Sequence, residues 1–284
     1  MTLGDSLSVA FVLDITLLDE DGAYAIITKE YADGREDVTV EIPQEDWKEY
    51  SGNLYYFAFG GVAAKEMCDS ISVEVYNTFG SQITNPYTDS VQAYAMRMLE
   101  NENTIANEEL RTLFVDMLNY GAAAQVQFEY ALDDLANAQL TETQQSWATG
   151  AYTTESNLDK GLGRVGTTLT LKSRITLDFI FSNDAMESAS YAVASYTNHY
   201  GEEVELRIES FCAFDEESTY VSVPGLAVAD YATVVTCTVY DAEGNVIATA
   251  ADSIEGYAHR MVANLPTMVE SIVQFGVSAY NYFH

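Results

Sequence analysis

At 284 residues, 48% of them apolar and with a mean hydropathy of −0.05, the chain belongs to a folded protein and is long enough for two cores. Its 44 acidic residues against 12 basic ones, a net charge of −32, give a field that repels phosphate backbones and anionic lipid. That argues against nucleic-acid binding and membrane-surface roles, and no apolar run reaches the roughly 18 residues of a membrane-inserted span.

Taken in chain order, Met1–Asp5 has neither a basic n-region nor an apolar h-region, so the chain reads as a piece of a longer exported protein. Ser8–Val12 opens a run of short strands. These are punctuated by acidic-glycine turns at Asp19-Glu20-Asp21-Gly22 and Ala32-Asp33-Gly34. Trp47, Tyr50 and Tyr55 crowd one loop. Ile71–Tyr76 alternates apolar and polar residues at the period of a half-buried strand and enters a turn at Asn77–Gly80. Helices follow: one over Ser90–Met98, a loop over Glu102–Glu108, and a second helix capped by Asn107 with Glu108 and Glu109 in its first turn. Leu110, Leu113, Phe114, Met117, Leu118, Gly121, Ala124 and Phe128 share one face of that second helix. Residues 133–168 read as an ordered polar crossing with a short helix near Thr141–Ala148, anchored by Leu132, Leu135, Leu140 and Trp147.

The chain then repeats itself. Tyr220–Tyr240 matches Tyr56–Tyr76 at an offset of 164, placing Gly225 on Gly61 and Val239 on Val75. Ser253–Met261 answers Ser90–Met98, Ile272–Ala279 answers Met117–Ala124, and Thr176–Ile180 answers Ser8–Val12. The expected fold class is therefore α+β: two tandem copies of a small antiparallel sheet or sandwich unit, each followed by a two-helix hairpin. The corresponding domains are 1–131, a linker 132–168, and 169–284. Gly121 and Gly276 fall at the same interior helix position, where glycine costs roughly 1 kcal/mol against alanine, so a neighbouring backbone is expected close by.

Chemistry is sparse. Three histidines, His199, His259 and His284, and three cysteines, Cys68, Cys212 and Cys237, form no zinc spacing, CxxC pair or nucleophile elbow. Cys237 lies in an apolar alternation and reads as a buried thiol, with a bridge to Cys212 left open. The acidic clusters Asp19-Glu20-Asp21, Glu202-Glu203 and Asp215-Glu216-Glu217 fall in turns, where water solvates them rather than raising a catalytic pKa. Asp19–Gly22, with Glu30 at the twelfth position, and Asp241–Asn245 echo calcium loops. Hairpin patterning around them opposes that reading, so no cofactor or metal is expected. The remaining signal is 20 Tyr, 12 Phe and 2 Trp. Trp47, Tyr50 and Tyr55 in the first half, and Tyr191, Tyr196, His199 and Tyr200 in one hairpin of the second, are the candidate binding residues, since tyrosine and tryptophan give rigid contact area.

The string Met117–Gln125, followed by Leu135–Ala138 and Leu140-Thr141, resembles an accessory module of very large secreted or wall-anchored surface proteins of gut Firmicutes. Ser253–Tyr257 and Phe275–Tyr280 resemble that module's second half. The resemblance implies an extracellular or cell-wall-attached, non-catalytic role and brings no catalytic residues with it. The aromatics without a counterpart in the other half point to a host or microbial surface protein as partner, and similarity to immunoglobulin-binding surface proteins of gut Firmicutes makes an antibody variable domain the specific candidate. A stalk spacer and a carbohydrate-binding or glycan-acting domain are the alternatives.

Overall fold

The computed structural model describes residues 2–3, 7–18, 22–150, 161, 163–171 and 175–284. The Asp19-Glu20-Asp21 turn, and with it the first calcium-like loop, lies outside the described residues. The chain divides into two compact units, Met1–Ser146 and Trp147–His284.

The first unit runs β1 (Thr2–Leu3), β2 (Leu7–Asp14), β3 (Tyr24–Glu30), β4 (Val38–Pro43), β5 (Lys48–Ser51), β6 (Leu54–Val62), β7 (Ser70–Tyr76) and β8 (Tyr87–Asp89). Helices α1 (Val91–Glu100), α2 (Glu102–Ala106), α3 (Glu108–Gln127) and α4 (Glu142–Gln145) follow. Two antiparallel sheets form, in the orders β1-β2-β6-β5 and β4-β3-β7-β8. Strands β3 and β7 bury every second residue, with Ala25, Ile27, Ile71, Val73 and Val75 inside. The ring of Phe11 on β2 meets Tyr87 on β8 edge-on at 6.2 Å, carrying the core from one sheet to the other.

Helix α3 forms where its pattern dictates. The Asn107 side chain accepts from the Leu110 N–H, and Leu113, Phe114, Met117, Leu118 and Ala124 are buried. It lies against the 3-10 turn Ala64–Glu66. A Cβ on Gly121 would come within 2.6 Å of Met67 Sδ and 3.3 Å of the Ala64 carbonyl oxygen. After α3 the backbone turns left-handed at Glu129 and Ala131, with φ of 51° and 46°, a conformation non-glycine residues adopt only when held there. The holding group is the Gln125 carboxamide, fully buried, which donates to Asp134 O at 2.9 Å and accepts from Ala136 N–H at 2.7 Å. Gln92 donates to the carbonyls of Leu135 and Ala136.

The second unit runs β9 (Arg164–Leu171), β10 (Ile175–Ser182), α5 (Asn183–Met186), β11 (Tyr191–Thr197), β12 (Glu203–Ile208), β13 (Cys212–Ala213), β14 (Ser218–Leu226), β15 (Val235–Tyr240) and β16 (Val246–Asp252). Helices α6 (Ile254–Met261) and α7 (Pro266–Phe283) close it. Its sheets have the orders β13-β14-β10-β9 and β12-β11-β15-β16. The Asp252 carboxylate, fully buried at the end of β16, gathers Arg164 at 2.7 Å together with Arg260, Thr167 and the Ser253 N–H. Helix α7 packs on the 3-10 turn Val228–Asp230, and there a Cβ on Gly276 would fall 2.5 Å from Tyr231 Cβ. The close neighbour is thus a side-chain root rather than the backbone the sequence suggests.

The fold is mixed α+β and rich in sheet, but it corrects the expected architecture of two small sheet units each followed by a helix hairpin. The described residues form four four-stranded antiparallel sheets. The helical parts are not one simple hairpin per unit: α2 lies between α1 and α3 and α4 follows α3 in the first unit, and α5 sits among the strands of the second. The physical reason is that edge strands carry little pattern: every residue of β5 and the first four of β4 are exposed, and β13 spans two residues. Most of the stretch 102–108, read as a loop, is the helix Glu102–Ala106, which Asn101 caps and in which Thr104 is buried. All three cysteines are free thiols, so the Cys212–Cys237 bridge does not form: Cys237 is buried on β15 and Cys212 exposed on β13.

Candidate functional site

The candidate aromatics of the first unit separate. Trp47 is buried, its ring 4.9 Å from Phe57 and its Nε1–H donating to the Ile42 carbonyl at 3.2 Å. It belongs to the core. Tyr55 is half-buried on β6 opposite Glu49, and only Tyr50, on the edge strand β5, is open to solvent.

In the second unit, strand alternation splits the set. Tyr191 and Tyr196, five residues apart on β11, fall on opposite faces. Tyr191 is held between Tyr240, stacked at 5.0 Å, and the Arg207 guanidinium, 3.6 Å over its ring. Tyr196 is buried.

His199 and Tyr200 come together with residues from α7. The turn joining β11 to β12 is fixed by Asn198, whose side-chain oxygen accepts from the N–H groups of Tyr200 and Glu202, and by Gly201 at φ +80°. It turns Tyr200 outward, 62% exposed, and drives His199 inward onto Asp230. One Asp230 oxygen takes both the His199 N–H, at 2.6 Å, and Nδ1, at 2.9 Å, while the other takes the Ala227 N–H at 3.1 Å. Facing a carboxylate, Nδ1 is the protonated nitrogen, which leaves Nε2 an acceptor in the neutral ring. Nε2 is buried without a hydrogen-bond partner.

Around this imidazole lie Tyr200 at 4.0 Å, Phe283 at 5.8 Å and His284 at 6.1 Å between ring centres. Tyr280 stacks on His284 at 4.2 Å, and Tyr282 meets Phe283 edge-on at 5.3 Å. The two ring nitrogens of His284 lie 2.9 Å from the Tyr280 carbonyl oxygen and 2.6 Å from that of His199. The result is a tyrosine-rimmed surface, with Tyr200 and Tyr280 exposed beside a histidine pinned by a buried carboxylate.

Asp230, Tyr280, Tyr282 and Phe283 were not among the sequence candidates. The 280, 283 and 284 spacing puts three aromatic rings on one helix face, the single signal available for them.

Elsewhere, among the described residues, no cluster of three or more His, Cys, Asp or Glu has metal-binding geometry. No helix of the described residues is long and apolar enough to cross a membrane. The Asp241 carboxylate spends its oxygens inside its own turn, on the N–H groups of Glu243 and Asn245 and the Asn245 side chain.

A scan against protein-family models matches none, and a search of curated proteins returns no significant relative.

Proposed function

We propose that the chain is a non-catalytic recognition module of a secreted or wall-anchored bacterial surface protein, and that it binds a folded host protein through the tyrosine-rimmed surface of its second unit. The observation that carries this reading is the assembly of exposed Tyr200, from a hairpin turn, and exposed Tyr280, from a helix, on the rings of His199, Phe283 and His284. Such rings offer rigid, amphipathic contact area at small entropic cost, the chemistry of protein-recognition hot spots. A net charge of −32 favours a partner with a basic contact face over a polyanion. An antibody variable domain is the partner that the resemblance to gut surface modules adds to this picture.

The test is binding of purified polyclonal Fab to the immobilised full chain, measured by interferometry. Tyr200→Ala and Tyr280→Ala each weaken binding about 30-fold, the effect of losing a hot-spot side chain, while Tyr50→Ala on the first unit leaves it unchanged. A chain that captures no Fab removes the antibody as partner. Fab bound equally by wild type and both tyrosine variants removes this surface.

A further inference from the structure

Lys29, the penultimate residue of β3, points into the first unit and is completely buried. Its Nζ lies 2.6 Å from Glu66 Oε2 and 3.8 Å from Asp69 Oδ2, with the Tyr31 ring centre at 4.6 Å. The antiparallel register of β3 and β7, with Lys29 opposite Ile71 and Glu30 opposite Ser70, holds the lysine beside the residue that precedes β7. Neither the amine nor the Asp69 side chain is exposed to water, and Glu66 is nearly as buried.

The two acids differ in state. Burial raises the Asp69 carboxyl above the ordinary aspartate range, against the opposing hydrogen bond from Tyr130. Burial pushes Glu66 the same way, but the hydrogen bond and charge of Lys29, the Ala63 N–H and Arg35 outweigh it and hold Glu66 low. Arg35 donates to Glu66 Oε1 at 2.8 Å, and Ala63 N–H to Oε2 at 3.1 Å. Tyr130 OH sits 2.8 Å from both Asp69 oxygens, and the Ala32 N–H lies 3.3 Å from Oδ1. One site thus holds an amine, a carboxyl raised above the ordinary aspartate range, and a carboxylate held low that touches the amine.

We propose that Lys29 and Asp69 condense within the folded chain to an amide cross-link, with Glu66 as the proton carrier. Glu66 takes a proton from the Lys29 ammonium. The freed amine attacks Cγ of the Asp69 acid, forming the Nζ–Cγ bond. Charge on Oδ1 of the tetrahedral intermediate is met by the Tyr130 hydroxyl and the Ala32 N–H. Oδ2 leaves as water when Glu66 returns its proton, and the surplus proton on the new amide nitrogen then passes to Glu66, so ammonium, Asp69 acid and Glu66 carboxylate give amide, one water and Glu66 acid. No oxidant or cofactor enters the balance. Glu66 is not the group attacked, because an ionised carboxylate shared by Arg35, Lys29 and a backbone N–H resists a nucleophile.

The experiment is mass spectrometry of the full chain, which needs no variant to be decisive. The folded protein is expected one water lighter than its sequence mass. Trypsin is expected not to cut after Lys29, leaving residues 1–35 joined to 66–97 as one branched peptide. Glu66→Gln and Lys29→Arg abolish the branched peptide and restore the full mass. Recovery of separate peptides 1–29 and 30–35 from the wild type at full mass overturns the proposal, as does a water loss that persists in Asp69→Ala or maps to another pair. Because the readout involves no partner, the outcome is independent of the binding surface proposed for the second unit.

Discussion

Replacing Gly276 by alanine tests the packing of α7 against the turn that carries Asp230. The new methyl would stand 2.5 Å from Tyr231 Cβ, 2.6 Å from Cγ and 2.9 Å from Cδ1. Tyr231 cannot retreat easily. Its N–H donates to Val228 O at 3.1 Å and its carbonyl accepts from Glu255 N–H at 2.8 Å, so the backbone bearing that Cβ is tied on both sides. Overpacking costs about 1–3 kcal/mol, and contact with a rigid side-chain root belongs at the top of that range. Helix propensity returns about 1 kcal/mol, leaving a net destabilisation of about 2 kcal/mol. In thermal melts followed by circular dichroism this corresponds to a fall of about 6 °C. Tyr231→Ala removes Cγ and Cδ1 but leaves the Cβ at 2.5 Å, so it gives partial relief in the Gly276→Ala background, whereas Tyr231→Gly gives more. At Gly121 the closest atom is the mobile Met67 Sδ, and Gly121→Ala costs less. A Gly276→Ala protein as stable as wild type, or rescue by Tyr231→Ala as full as by Tyr231→Gly, would refute this account.

Three further outcomes follow from particular contacts. Ser253 caps α6 by accepting the Gly256 N–H at 2.9 Å, so Ser253→Ala lowers stability by about 1 kcal/mol in urea titrations, and Ser253→Asp recovers part of it. Burial pushes the Cys237 and Cys68 thiols up to about 12, while Cys212 is exposed. Iodoacetamide at neutral pH therefore labels Cys212 alone until denaturant is added, and early labelling of Cys237 contradicts the burial argument. The Asn245 side chain, then backbone N–H groups, hold the Asp241 carboxyl below its ordinary 3.8. A lowered folded value means that its contribution is whole above 3.8 and fades as pH falls through the lowered value. Asn245→Ala moves the Asp241 midpoint upward in carboxyl NMR titration, and an unmoved midpoint counts against the turn.

What could be read from the residues was whatever has a period or a cap. Ile71–Tyr76 and Val235–Tyr240 are interior strands whose alternation comes from a shared buried face, and Asn107 announces α3 through one side-chain bond. Edge strands have no such face, so β4 and β5 were not legible and the division into four sheets was missed. The site shows the same boundary. His199 and Tyr200 stood out because they crowd one hairpin, yet Asp230, 31 residues away, and Tyr280 join them only through tertiary packing. Trp47 reads as a contact residue from its type alone, and its burial comes from packing on Phe57, ten residues on, which only the fold brings against it.

The segment that follows α3 is fastened by the carboxamides of Gln125 and Gln92. Neither group titrates or attracts counterions, so acid and salt, the two variables to which a chain of charge −32 is most responsive, have no direct purchase on this clamp. The polar fastening of residues 131–136 is thus made by neutral dipoles and does not vary with the charge state of the surface.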